Sequence, residues 1–217
     1  MTTANNILQL SDDEIVAVAV SARAAWPGLL PTVDTDSTQV LTASALRGMR
    51  SLAIRGMLTE SSTPSALLDP ARAALRGRKA VVTYLAPASS SASSLPDLAD
   101  GAAVCSFFAL VGGVAVIDVA DAAGVHALGV LPVAEVRELI RDSVQQAVAA
   151  SRSEAGAGFA WCLVVPAVGS SSVAMIVQSG DITAYEVGGD GQLAPSAVDD
   201  PGRTLDAILT DALVPAS

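Results

Sequence analysis

The single histidine of the chain is the first residue to consider for chemistry, because an imidazole is a common general base in enzymes. His126 lies beside Val125 and close to Leu128, in a run with the pattern of a β-strand. The pattern Gly-x-Ser-x-Gly, which places a nucleophilic serine at a sharp turn, does not occur in the sequence. We therefore interpret His126 as a structural residue rather than as the base of a Ser-His-Asp triad.

A second set of candidate groups lies in the segment Asp34-Thr35-Asp36-Ser37-Thr38. It resembles the DxDxT motif of the haloacid-dehalogenase-like phosphatases, in which the first Asp attacks phosphorus and the second transfers a proton. This resemblance implies a small hydrolase using Asp34 and Asp36, with Lys79 and Asp199-Asp200 as further candidates. The chain lacks the alternating strands and helices of a doubly wound sheet, so we favour a turn that caps the following helix.

The glycine runs and the cysteines do not predict a cofactor site. Gly112-Gly113 and residues 188–191 lack the Lys-Ser/Thr of a phosphate-binding loop, and we interpret them as hairpin turns. Cys105 and Cys162 lack CxxC spacing and have no histidine nearby, which predicts buried free thiols. We expect no cofactor, no metal ion and no catalytic constellation.

Charge and hydropathy exclude two classes of partner. The 217 residues include 22 Asp and Glu but only 12 Lys and Arg, and a net charge of -10 repels nucleic-acid phosphates. The uncharged stretches 101–117 and 155–180 approach the length of a membrane span, but glycine and proline interrupt both of them. The start of the chain lacks the pattern of a secretory signal. We therefore expect a cytoplasmic protein without membrane insertion.

Helices are predicted for the first 78 residues. Ser11 and Glu14 have the spacing of a capping box, which predicts a helix that begins directly after Ser11. A second helix is expected over residues 38–55, with Gly56 at its C′ position. A short third helix is expected from Asp69-Pro70 to near Gly77.

Short β-rich runs follow, and their order repeats. We predict strands at 80–86, 104–110, 114–120 and 125–131, a helix from Pro132 to near Arg152, and then strands at 161–165, 172–178 and within 180–191. The turn Ser179-Gly180 corresponds to Gly112-Gly113. Pro132 and Pro201 each open a helix with apolar residues at the same offsets, which indicates a duplication.

The fold class predicted from this order is α+β, with an antiparallel sheet built from two quasi-repeated βββα units and preceded by an N-terminal helical segment. The predicted segments are 1–78, 79–152 and 153–217, within one compact domain.

This layout resembles the EspG family, the cytosolic chaperones of type VII (ESX) secretion systems in actinobacteria. The likeness rests on LSDDEIVAVAV, on LRGMRSLAIRGML, on the meander that begins AVCSFFALVGG, and on its shorter echo SVAMIVQSGDITAYEVGGDG. It covers most of the chain, although family members are typically longer.

The resemblance implies a non-catalytic chaperone or adaptor that holds a helical secretion substrate of the PE/PPE type before export. Recognition is then expected on an exposed sheet face and adjacent helix ends, with a few apolar anchors. Phe107, Phe108 and Tyr185 are the candidate anchors, and at most one of the two neighbouring phenylalanines can be free, because their side chains point to opposite faces. The oligomeric state is left open between a monomer and a homodimer.

Overall fold

A computed structural model describes residues 7–61, 63–87, 104–153, 158–165, 172–188, 192–196, 206–207, 209–210 and 213. Within these residues, the helices are α1 (Asp12–Ser21), α2 (Thr38–Ile54), α3 (Asp69–Arg76) and α4 (Val133–Ser151). The strands are β1 (Leu8–Ser11), β2 (Arg78–Pro87), β3 (Val104–Val111), β4 (Val114–Asp121), β5 (Val125–Pro132), β6 (Phe159–Val165), β7 (Ser172–Gln178), β8 (Asp181–Val187) and β9 (Leu193–Pro195). The predicted α+β class is confirmed.

The nine strands form one antiparallel sheet in the order β1-β5-β4-β3-β2-β6-β7-β8-β9. Strand β1 was not predicted, because residues 8–11 were included in a segment expected to be helical. It pairs with β5 in a register that places Leu8 opposite Leu128 and Ser11 opposite Val125. A strand of four residues that ends at a helix cap is too short for its periodicity to reveal it. Strand β1 forms because it pairs with β5, which lies far away in the sequence.

Local sequence signals account for the helix ends. The Ser11 side chain caps α1 and accepts from the Glu14 backbone, while the Glu14 side chain accepts from the Ser11 backbone, which confirms the capping box. Gly56 follows α2 with φ of +67°, the left-handed conformation expected of a C′ glycine. Asp69 and Pro70 open α3 as predicted.

Contacts divide the chain into two compact units. Unit 1 comprises residues 1–78 and 106–131, and unit 2 comprises residues 79–105 and 132–217. This division differs from the predicted segments, because residues 106–131 belong to unit 1 and residues 79–105 belong to unit 2. Within unit 2, β2 pairs with β6 from Val82 opposite Val164 to Pro87 opposite Phe159.

Unit 1 is organised around the close packing of α1 on α2. Gly48 faces the backbone carbonyl of Asp13 and the side chain of Ala17, and a Cβ at this position would clash with both. Strand β4 of this unit buries consecutive residues from Ala115 to Asp118, so both of its faces are covered. It does not provide the open sheet face expected for recognition.

Unit 2 packs α4 along β6 and β7. Val136, Ile140 and Val144 lie four residues apart and form the buried stripe of α4. Ser179 and Gly180 both have positive φ, which matches the two-residue hairpin turn predicted between β7 and β8. The predicted start of the last helix at Pro201 and the turn at 189–191 lie outside the described residues.

The Gly48→Val substitution tests the contact between α1 and α2. We expect the free energy of unfolding to fall by about 1–3 kcal/mol, because the added side chain forces the two helices apart. Urea denaturation followed by circular dichroism measures this change. Ala43→Val, at an exposed position of the same helix, is the matched control, and an equal loss in both variants would contradict the close-contact explanation.

Candidate functional site

A buried cluster of three ionisable side chains lies in unit 1. His126 Nε2 lies 2.7 Å from Asp12 Oδ1, and His126 Nδ1 lies 2.8 Å from Asp118 Oδ2. All three side chains are at most 2% exposed. Burial of charged groups is costly unless they are paired and hydrogen-bonded, and here each carboxylate is paired with the imidazole.

Each member comes from a different element, and further donors complete the cluster. Asp12 is the first residue of α1, Asp118 lies in β4 and His126 lies in β5. The Thr32 backbone N–H and hydroxyl both donate to Asp12 Oδ2 at 2.6 Å. Trp26 Nε1 donates to Asp118 Oδ2 at 3.2 Å. The cluster therefore joins the start of α1, the segment between α1 and α2, and two strands.

The pKa directions of His126 and Asp12 describe a positive imidazole beside a negative carboxylate. Burial alone lowers the pKa of His126, but the hydrogen bonds and the charges of Asp118 and Asp12 raise it to about 9. Burial alone raises the pKa of Asp12, but its hydrogen bonds to His126 and Thr32 bring that pKa below its usual value. His126 is therefore protonated at neutral pH and balances one of the two negative charges.

This geometry does not leave His126 a free nitrogen for proton transfer to a substrate. Both ring nitrogens are hydrogen-bonded to carboxylates, and the ring is fully buried. A general base needs an accepting nitrogen within reach of the substrate's proton. This arrangement supports the structural interpretation of His126. The ion pairs connect α1, β4 and β5 within unit 1.

The other two acids of the first turn of α1 form ion pairs with arginines in α2 and directly after it. Asp13 accepts two hydrogen bonds from the Arg47 guanidinium, at 2.7 and 2.8 Å, and another from Ser44. Glu14 pairs with Arg55 at 2.6 Å. Asp12, Asp13 and Glu14 thus each pair with a different residue. Their sequence pattern indicated only the start of a helix.

The phosphatase interpretation finds no support in the position of Asp34 and Asp36. Both side chains are exposed, and Asp34 Oδ1 accepts from the Asp36 backbone N–H at 3.0 Å in a turn. Ser37 then caps α2 by accepting from the Val40 backbone. A nucleophilic Asp requires a pocket with activating groups, and the segment is instead the helix-capping turn that we favoured. The Lys79 side chain and Asp199-Asp200 lie outside the described residues.

A groove of about 510 Å³ lies in unit 2. Leu85 of β2 and Trp161 of β6 are directly opposite each other in the strand pair, and Phe159 lies two residues before Trp161 on the same face. The remaining lining residues come from α4 and the turn after it: Ser143, Gln146, Ala147, Ala150, Ser151 and Ser153. The groove thus has an apolar floor and a wall of mostly small side chains.

The predicted partner anchors have different positions in the structure. Phe107 and Phe108 are only 1% and 4% exposed, so neither side chain is accessible to a partner as an anchor. Phe107 packs edge-on against Trp26, with the ring centroids 5.6 Å apart. The two side chains point to opposite faces of β3, so both faces of this strand are covered. Tyr185 is partly exposed on β8 and stays a candidate.

The thiol prediction is confirmed for Cys162, which is free and buried. Burial raises the pKa of this thiol to about 11, so it is unreactive at neutral pH. The Cys105 side chain is outside the described residues. Among the residues that the structure describes, no group of three potential ligands could hold a metal ion.

Sequence reasoning missed the cluster around His126 and the groove around Trp161. One signal for the cluster was present, because Asp118 is a charged residue inside the apolar run of β4 and requires a buried partner. The groove had no signal, since it depends on where α4 lies relative to Leu85 of β2 and Trp161 of β6.

Comparison with models of known protein families gave no match, and comparison with curated proteins gave no significant match. In the part of the chain that the structure describes, every helix is too short or too polar to cross a membrane.

Proposed function

We propose that the chain is a non-catalytic chaperone or adaptor that holds a helical secretion substrate of the PE/PPE type in the cytoplasm before type VII export. The resemblance of its sequence to the EspG family suggests this type of partner. The observation that carries the proposal is the groove of unit 2, whose shape and chemistry suit the apolar stripe of an amphipathic helix.

The wall of the groove favours close approach of a helix. Ser143, Ala147 and Ala150 follow one another at four and three residues along α4, so they lie on one side of that helix. Small side chains at this spacing allow two helices to approach closely. A partner helix placed here would contact the small residues on one side and the aromatic floor on the other.

The floor of the groove supplies the anchors that interfaces need. Phe159 is 41% exposed, and Trp161 and Leu85 are partly exposed beside it. Aromatic residues at the centre of a contact surface commonly contribute much of the binding free energy. These residues replace Phe107 and Phe108 as the anchors of the proposed interface.

The absence of a recognised catalytic group among the described residues also supports a binding role. The only histidine is enclosed by two carboxylates, and Asp34 and Asp36 form an exposed turn. The groove itself is lined by apolar, small and amide side chains without a charged or nucleophilic centre beyond serine hydroxyls.

The Ala150→Trp variant tests the groove. The bulky side chain fills the groove from an exposed helix position, so we expect recovery of the partner to fall at least about tenfold, equivalent to about 1.4 kcal/mol of binding free energy. The measurement is affinity capture of the tagged chain from its native cell, followed by mass spectrometry. Ala53→Trp, at an exposed alanine of α2, is the matched control and should recover as much partner as the original chain.

Two outcomes would contradict the proposal. One is that the original chain recovers no helical secreted protein. The other is that Ala150→Trp and Ala53→Trp recover equal amounts of such a protein, which would place the binding surface elsewhere.

A further inference from the structure

The outer edge of β1 is closed by side chains of neighbouring elements. Strand β1 is the first strand in the sheet order, and among the strands that the structure describes it pairs with β5 alone. The Asp12 backbone N–H donates to Gly124 O on the β5 side, so backbone groups of the odd-numbered residues Gln9 and Ser11 point away from β5. Unpaired groups at such an edge form a template for another strand.

Arg55 and Glu14 form hydrogen bonds with the outward backbone groups of β1. Arg55 Nη2 donates to Gln9 O at 2.9 Å, and the Ser11 backbone N–H donates to Glu14 Oε2 at 3.0 Å. Arg55 Nη1 in turn lies 2.6 Å from Glu14 Oε2. The Ser51 hydroxyl donates to Glu14 Oε1 and fixes the carboxylate from its other side.

We propose that Arg55 and Glu14 form a clamp that closes the β1 edge against addition of a strand from a second copy of this chain. Without the clamp, the two β1 strands can pair antiparallel about a two-fold axis, which satisfies the same outward groups in both copies. Apolar surface beside the edge favours this contact, because Ile7 is 62% exposed and Val125 is 44% exposed.

The other terminal strand of the sheet is a poor alternative partner for β1. Strand β9 has three residues and ends at Pro195, which has no backbone N–H to donate. Association through β1 therefore points to a symmetric pair of β1 strands rather than to a head-to-tail chain of β1 on β9.

Substitution of Arg55 by alanine tests the clamp in the full-length chain. We expect Arg55→Ala to self-associate into dimers at least about tenfold more tightly than the original chain, measured by sedimentation velocity over a wide concentration range. Arg47→Ala is the matched control, because Arg47 lies in α2, which Arg55 directly follows, and its guanidinium pairs with Asp13 of α1 rather than with β1. Arg55→Lys, which retains the charge, should dimerise less than Arg55→Ala.

Hydrogen exchange identifies the surface. In the Arg55→Ala dimer, the backbone amides of residues 7–11 should exchange more slowly as the protein concentration rises. A monomeric Arg55→Ala, equal dimerisation of the Arg47→Ala control, or dimers without protection at residues 7–11 would overturn the proposal. If circular dichroism shows that Arg55→Ala is unfolded, Arg55→Gln takes its place and the same outcomes apply.

Discussion

Replacing His126 by glutamine is expected to lower the free energy of unfolding by about 3–5 kcal/mol, because it leaves two buried carboxylates without the positive charge between them. Asp12 and Asp118 are both at most 2% exposed, so water cannot replace the lost imidazolium. Urea denaturation at pH 6, followed by tryptophan fluorescence, measures this loss. Trp26 reports on the cluster directly, since its ring is 6.3 Å from the imidazole ring.

A second substitution tests whether the loss of stability comes from unpaired carboxylate charge rather than from altered packing. Asp118→Asn in the His126→Gln background removes one carboxylate, so the double variant should recover part of the lost stability. Asp34→Asn serves as the control for loss of an exposed carboxylate and should change stability by less than about 0.5 kcal/mol. A loss below about 1 kcal/mol in the single His126→Gln variant would show that the imidazole does not hold the carboxylates together.

The stability of the protein is expected to decrease as the pH rises from about 6.5 to 9. The pKa of His126 is raised from 6.5 to about 9 in the folded state, so its contribution is complete below pH 6.5 and is lost as the pH rises through 9. This difference in pKa corresponds to about 3 kcal/mol. The contribution of Asp12 has the opposite dependence, since its lowered pKa stabilises the fold above pH 3.8 and this contribution is lost on acidification.

Denaturation curves collected between pH 5 and 9 measure the dependence. His126 is the only histidine of the chain, so the slope between pH 6.5 and 9 should largely disappear in His126→Gln. A stability that is constant over this range in the original chain would contradict a protonated imidazole in the folded state.

Much of the fold could be predicted because its signals are local. The capping residues Ser11 and Glu14, the C′ glycine Gly56 and the glycine turns at residues 112 and 180 act within a few residues. The ends of the elements next to these signals lie within one residue of their predicted positions. The alternation of short apolar runs with turn residues was sufficient to indicate an antiparallel sheet.

The candidate sites depend on contacts between residues far apart in the sequence. Asp12 and His126 are separated by 114 positions, and Arg55 reaches Glu14 across 41 positions. One sequence cannot reveal such pairs, because helix-start acids and surface arginines have ordinary local explanations. The burial of Phe107 and Phe108 was missed for the same reason, since an alternating strand pattern does not show whether both faces are covered.

Asp12 and Asp118 occupy both ring nitrogens of His126, which leaves this histidine unable to act as a general base, and the protonation of the two nitrogens tests this conclusion most directly. Long-range ¹H–¹⁵N correlation spectra recorded from pH 5 to 10 report the protonation of both nitrogens of this single histidine. We predict that both nitrogens keep the shifts of an imidazolium through neutral pH and titrate together with a pKa of about 9. A neutral ring at pH 7, with one nitrogen free to accept a proton, would contradict the account and restore His126 as a candidate catalytic base.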